Sequence, residues 1–115
     1  PYYVVRIKKD GNCGPRVVSL RKYGTQKRHF WVRMMVCNTM HREIQDKFKG
    51  NTECPEYKEK MDYIKKMTRS GEWFTDKEFQ VSSNVYGFPI IVFSALNKMM
   101  FFDSLIAPVG YKNNY

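Results

Sequence analysis

The stretch from Thr75 to Phe93 writes a helix, a stop and a strand, and the strand constrains the fold most. Thr75-Asp76-Lys77-Glu78 has the form of a capping box, with Thr75 as N-cap and Glu78 reaching back to it. The helix it opens runs through Phe79, Ser82, Ser83 and Tyr86, and Gly87 closes it. Pro89-Ile90-Ile91-Val92-Phe93 then reads as a strand apolar on both faces. Such a strand belongs in a sheet covered by other elements. The covering elements are helices, so the class is α+β or α/β.

The rest of the chain supplies them. Tyr2 to Ile7 is β-branched and aromatic and reads as a first strand, followed by the turn-prone Lys9-Asp10-Gly11-Asn12. Cys13 comes next, then Gly14-Pro15 and the run Arg16 to Leu20, which reads as a helix with proline in its first turn. Phe30, Trp31, Met34, Met35 and Asn38 to Ile44 recur at helical steps and predict a long helix over 27–48. Lys49 to Pro55 is a loop by composition. Tyr57, Met61, Ile64 and Met67 stripe a helix from Glu56 to Arg69, ended by Ser70-Gly71. Asn97-Lys98 reads as a turn and Met99 to Phe102 as a further strand. The expected fold is α+β, a small mixed β-sheet flanked by helices.

At 115 residues the chain suits a single domain, 1–115. Its 43 % hydrophobic and 16 % aromatic content excludes a disordered tail. No apolar run approaches the length of a membrane span, and no signal or transit segment is in view. Cys13, Cys37 and Cys54 are too few and too far apart for a disulfide framework or paired zinc ligands. Reduced thiols suit a cytoplasmic or nuclear setting. No metal or cofactor is called for.

The net charge of +9 is unevenly spread. Residues 1–30 hold eight basic side chains and one acid, whereas residues 71–115 hold three and four. A basic nucleic-acid-binding domain would show such a bias. The cations come singly or in pairs, with no Arg-rich tract, so a solvated basic face explains them and nucleic acid is not the expected partner.

Cys13 is the thiol with a chemical setting. It follows a turn and starts a helix, where unpaired N–H groups and the helix dipole favour a thiolate. The amides of Asp10 to Cys13 could also hold the oxyanion of a tetrahedral intermediate. A lone cysteine serves equally well as a small buried hydrophobe, and the residue pattern leaves both open. Cys37 and Cys54 lack the setting and are structural.

Asp10-Gly11-Asn12-Cys13-Gly14-Pro15-Arg16 resembles the nucleophile loop of the ovarian-tumour (OTU) cysteine proteases. That loop reads Asp-Gly-Asn-Cys, two residues, then Arg or His. The resemblance continues in order through Met67, Gly71-Glu72-Trp73, Glu78-Phe79 and Tyr86 to Val92, about residues 4–93. It implies a papain-like thiol hydrolase fold that cleaves ubiquitin or ubiquitin-like modifiers from proteins, with that modifier as partner. It also implies Cys13 as nucleophile, Asp10 as support, and the amides of Asp10, Gly11, Asn12 and Cys13 as the oxyanion hole. Trp73 is a packing residue in this picture.

The pattern is departed from twice. Pro15 stands where the family commonly has an aromatic. A thiol hydrolase needs an imidazole to take and return the proton, and the family places it near the C-terminus as His-Tyr. Here Asn114-Tyr115 occupies that position, while His29 and His41 lie far upstream and read as surface or structural residues. Either Asn114 replaces the general base or the histidine lies beyond Tyr115. A catalytically inactive domain of the same fold that binds ubiquitin or another protein is therefore the alternative reading. An arginine-bearing modifier tail calls for carboxylates in the cleft. The acids near the matched motifs are Glu72, Asp76, Glu78 and Asp103; Glu78 is engaged in capping, and Glu72 and Asp76 are the substrate-binding candidates.

Overall fold

Local signals account for most helix ends in this chain. The computed structural model describes residues 7–8, 10–93 and 99–102. The chain resolves into two compact units, Pro1–Phe74 and Thr75–Tyr115.

In the first unit, helix α1 (Cys13–Tyr23) stops at Gly24, whose φ of 76° lies in the left-handed region that favours glycine. A 3-10 turn at Gln26–Arg28 follows, with the Thr25 hydroxyl accepting from the Lys27 N–H at 3.2 Å. That turn delays the start of helix α2 (His29–Phe48), which the spacing places at residue 27. Helix α3 (Pro55–Met67) opens on proline, which suits a first turn lacking N–H partners. It ends at Met67, two residues before the expected Arg69.

The core of this unit lies along α2, which packs against both α1 and α3. Val32, Val36 and Met40 repeat every four residues and are almost fully buried, with Arg33 and Cys37 beside them. Val18, Ile64, Met67 and Phe74 complete the core. Full burial of side chains of this size stabilises by roughly 1.5–3 kcal/mol each. The Ser19 hydroxyl joins α1 to the 3-10 turn by accepting from the Arg28 N–H at 3.1 Å.

In the second unit the capping box forms as expected. The Thr75 N–H and hydroxyl both reach a Glu78 carboxylate oxygen at 2.7 Å, and Glu78 is fully buried. Helix α4 (Asp76–Tyr86) ends at Gly87, φ 76°. Strands β1 (Ile90–Phe93) and β2 (Met99–Phe102) pair antiparallel, Ile90 opposite Phe102 and Phe93 opposite Met99. They are the described part of the sheet. Burial departs from one expectation: Ile90 is buried but Ile91 is 50 % exposed, so among the described residues β1 is covered on one face only. Successive strand side chains point to opposite faces, and cover on one face leaves the other in solvent.

The expected first strand (apart from Ile7), the Asn97-Lys98 turn, Asp103 and Asn114 lie outside the described residues. Among the described residues no helix is long and apolar enough to cross a membrane.

Candidate active site

Asp10 to Cys13 form a tight turn that delivers Cys13 as the first residue of α1. The turn is held by the Cys13 N–H donating to the Asp10 carbonyl at 3.2 Å and by the Asn12 N–H donating to Asp10 Oδ1 at 3.0 Å. Arg16 lies one turn along the helix and grips the same carboxylate through Nε at 3.2 Å and a terminal nitrogen at 3.0 Å. This fork geometry suits a guanidinium facing a carboxylate. The Arg16 hydrogen bond leads in holding the Asp10 carboxyl below its ordinary value. Asp10 is thereby a fixed anion at the base of the turn.

Cys13 is half-buried, and all three cysteines are free thiols. Burial pushes the Cys13 thiol above its ordinary value. The amides of Gly14 and Cys13 pull the other way, and the Asp10 charge adds to the upward push. The expectation that the helix start favours a thiolate is thus corrected: desolvation outweighs the amides. Alkylation of Cys13 by iodoacetamide should accordingly rise with pH to an inflection above that of free cysteine. An inflection near neutrality would contradict this.

Three of the four expected oxyanion amides, those of Asp10, Asn12 and Cys13, are engaged within the turn. The Asp10 N–H donates to the Lys8 carbonyl at 3.2 Å, and those of Asn12 and Cys13 donate to Asp10. A tetrahedral oxyanion would have to draw these donors away from acceptors they already serve.

The largest feature of the site escaped the sequence reading. Arg33 is 1 % exposed and donates to the carbonyls of Met67 at 2.9 Å, Gly11 at 3.3 Å and Glu72 at 2.8 Å. It also donates to the Asn12 side-chain oxygen at 3.0 Å. Asn12 is itself buried; its oxygen accepts from the Gly71 N–H at 2.8 Å and its amide nitrogen donates to Ser70 Oγ at 3.1 Å. Together they bind the Cys13 turn to the loop after α3. A side chain on Gly11 would strike the Gly71 carbonyl, so only glycine permits this approach. The available signal was a cation inside the Val32–Val36 apolar stripe.

Of the carboxylates expected to meet substrate, Glu72 is half-buried beside this clamp, and its carbonyl is one of the Arg33 acceptors. Asp76 is exposed at the start of α4, in the second unit. Trp73 corrects the packing expectation: it is 57 % exposed, and Phe74 takes the inward position. Among the described residues no cluster of three or more His, Cys, Asp or Glu could hold a metal.

His29 opens α2 with its Nδ1 buried and, among the described residues, without a hydrogen-bond partner. Burial, then the Arg16 charge, lower its pKa from 6.5. The unfolded chain therefore binds that proton more readily, and stability falls as pH drops below about 6.5 toward the folded value. Denaturant midpoints between pH 7 and 5 should fall more for the wild type than for His29→Gln. Equal slopes would remove His29 as the cause.

Comparisons with known proteins bear on the family and the fold. The family profile described as OTU-like cysteine protease matches residues 8–114. OVARIAN TUMOR DOMAIN-containing deubiquitinating enzyme 10 of Arabidopsis thaliana is 28 % identical over 101 residues, covering 88 % of this chain and 27 % of its own. Enzyme 9 of the same plant is 29 % identical over 111 residues, covering 95 % and 30 %. The chain thus spans under a third of the length of these relatives. The solved OTU domain of OTUD1 matches with a TM-score of 0.67 at 21 % identity, over 88 % of this chain and 68 % of that one, and supports the α+β fold. The chain belongs to the OTU-like cysteine protease family.

Proposed function

We propose that this chain is a single OTU domain, residues 1–115, whose Cys13 attacks the bond after the C-terminal tail of ubiquitin or a ubiquitin-like modifier. The observation that carries the reading is the Asp10–Cys13 turn, with its half-buried thiol at the head of α1 and its anion fixed by Arg16. The family match through residue 114 supports the domain extent, and the similarity to plant deubiquitinating enzymes supports the substrate class.

In this mechanism the Cys13 thiolate adds to the carbonyl carbon and the carbonyl oxygen becomes an oxyanion. Amides of the Asp10–Cys13 turn receive it after releasing their present acceptors. Collapse breaks the carbon–nitrogen bond, the leaving amine takes a proton, and a thioester remains on Cys13. Water then hydrolyses the thioester, and the thiol is restored. One group must act as base to take the thiol proton, return it as acid to the leaving amine, and then take a proton from the attacking water.

A second reading has its own support. If Asn114 of the Asn114-Tyr115 pair stands at the family's histidine position, its amide has no pKa near 7 with which to act as base. A domain so altered binds the modifier without cleaving it.

A ubiquitin-tail electrophile tests the central claim. Cys13 should be labelled, and Cys13→Ser should abolish labelling while Cys37 and Cys54 stay unmodified. Binding of ubiquitin without labelling would favour the second reading. Charge reversal of Glu72 and Asp76 together should weaken ubiquitin affinity several-fold; unchanged affinity would remove those carboxylates from the substrate cleft.

A further inference from the structure

Residues 72–74 turn alternately inward and outward. The Glu72 carbonyl is held by Arg33 at 2.8 Å, and Phe74 is buried with its ring 5.2 Å from the same guanidinium. Between them Trp73 leaves 57 % of its surface in solvent. A packed tryptophan buries a large apolar area, so an outward indole forgoes considerable stabilisation. Its backbone nevertheless has firm anchors on both sides.

Those anchors lie against the two neighbours of the nucleophile loop. One Arg33 nitrogen serves both the Glu72 and Gly11 carbonyls, which sets the backbone before Trp73 beside the turn before Cys13. A side chain on Gly14, the residue after Cys13, would meet Phe74 at 2.9 Å. Trp73 is thus an exposed aromatic on a rigid support flanking Cys13. Exposed indoles so anchored contribute strongly to recognition, and they attract guanidinium groups over their faces.

We propose that Trp73 is a substrate-recognition residue that stacks on an arginine of an extended peptide tail entering beside Cys13. The proposal rests on the reading of Cys13 as a hydrolase nucleophile and deepens it to the chemistry of the tail.

Saturation labelling with the ubiquitin-tail electrophile tests it, because half-saturating concentration reports recognition and maximal rate reports the thiol. Trp73→Ala should raise the half-saturating concentration about ten-fold with the maximal rate unchanged. Trp73→Phe should lie between. Replacing the tail arginines by leucine should impose a similar loss on the wild type and little further loss on Trp73→Ala. Iodoacetamide should alkylate Cys13 equally in all variants. A half-saturating concentration within two-fold of wild type overturns the proposal, as does an arginine effect of equal size in Trp73→Ala. A slowed iodoacetamide reaction in Trp73→Ala also overturns it, because Trp73 would then be supporting the turn. If the wild type takes iodoacetamide but not the electrophile, the hydrolase reading fails and the proposal falls with it; labelling without a Trp73 effect overturns the proposal alone.

Discussion

Replacing Arg33 with methionine should destabilise the chain by about 3 kcal/mol or more, read as a lower urea midpoint with unchanged slope. Methionine fills much of the same volume but donates nothing. The carbonyls of Met67, Gly11 and Glu72 and the Asn12 side-chain oxygen would each lose a donor in or near the core. Each unsatisfied buried acceptor costs about 1–3 kcal/mol, partly offset because a buried charge no longer needs desolvating. Against a total stability of roughly 5–15 kcal/mol, that is a large share. Arg33→Lys should recover only part of it, since one ammonium nitrogen cannot replace donors on two guanidinium nitrogens. A midpoint shift worth under about 1 kcal/mol would mean that solvent replaces the guanidinium without cost, and the clamp would lose its importance.

The other large effect concerns the base. With its thiol pushed up by burial, Cys13 is mostly protonated at neutral pH and depends on a partner to be activated. If Asn114 occupies the place of the family's histidine, the chain should turn over ubiquitin-tail substrates very slowly. Asn114→His should then accelerate hydrolysis by about a hundred- to ten-thousand-fold, the usual contribution of general acid–base catalysis. The gain should appear mainly in kcat, with a pH profile that acquires an inflection near the histidine range. Steady-state kinetics on a fluorogenic ubiquitin C-terminal amide would measure it. Brisk turnover by the wild type, unaffected by Asn114→Ala, would place the base elsewhere. No gain from Asn114→His in a chain whose Cys13 still takes the electrophile would mean that more than the base has been lost, favouring the binding-only reading.

Both expectations separate what is local from what is not. The Thr75–Glu78 capping box, the Gly87 stop, the stripe of α3 and the span of β2 were all legible in sequence. Each is specified by residues within a turn or two of one another, and capping and glycine chemistry act over that range. The start of α1 at Cys13 was legible for the same reason, and with it the candidate nucleophile and the Asp10 carboxylate. The Arg16 grip on Asp10 was not foreseen, although it spans only six residues.

Tertiary structure decided the character of the site. The Asn12 contacts to Ser70 and Gly71 cross 58 and 59 residues, and the Arg33 contacts to Gly11 and Glu72 cross 22 and 39. No local pattern encodes such pairings; only the packing of α2 between α1 and α3 brings them together. The same packing turned Trp73 outward and Phe74 inward, and it pushed the Cys13 thiol up where the helix start by itself argued for a thiolate. Motif and spacing therefore put forward Asp10 and Cys13 as candidates, but not Arg33. Their exposure, charge state and partners depended on burial, a property of the folded whole, because desolvation is set by everything packed around a group and not by its neighbours in sequence.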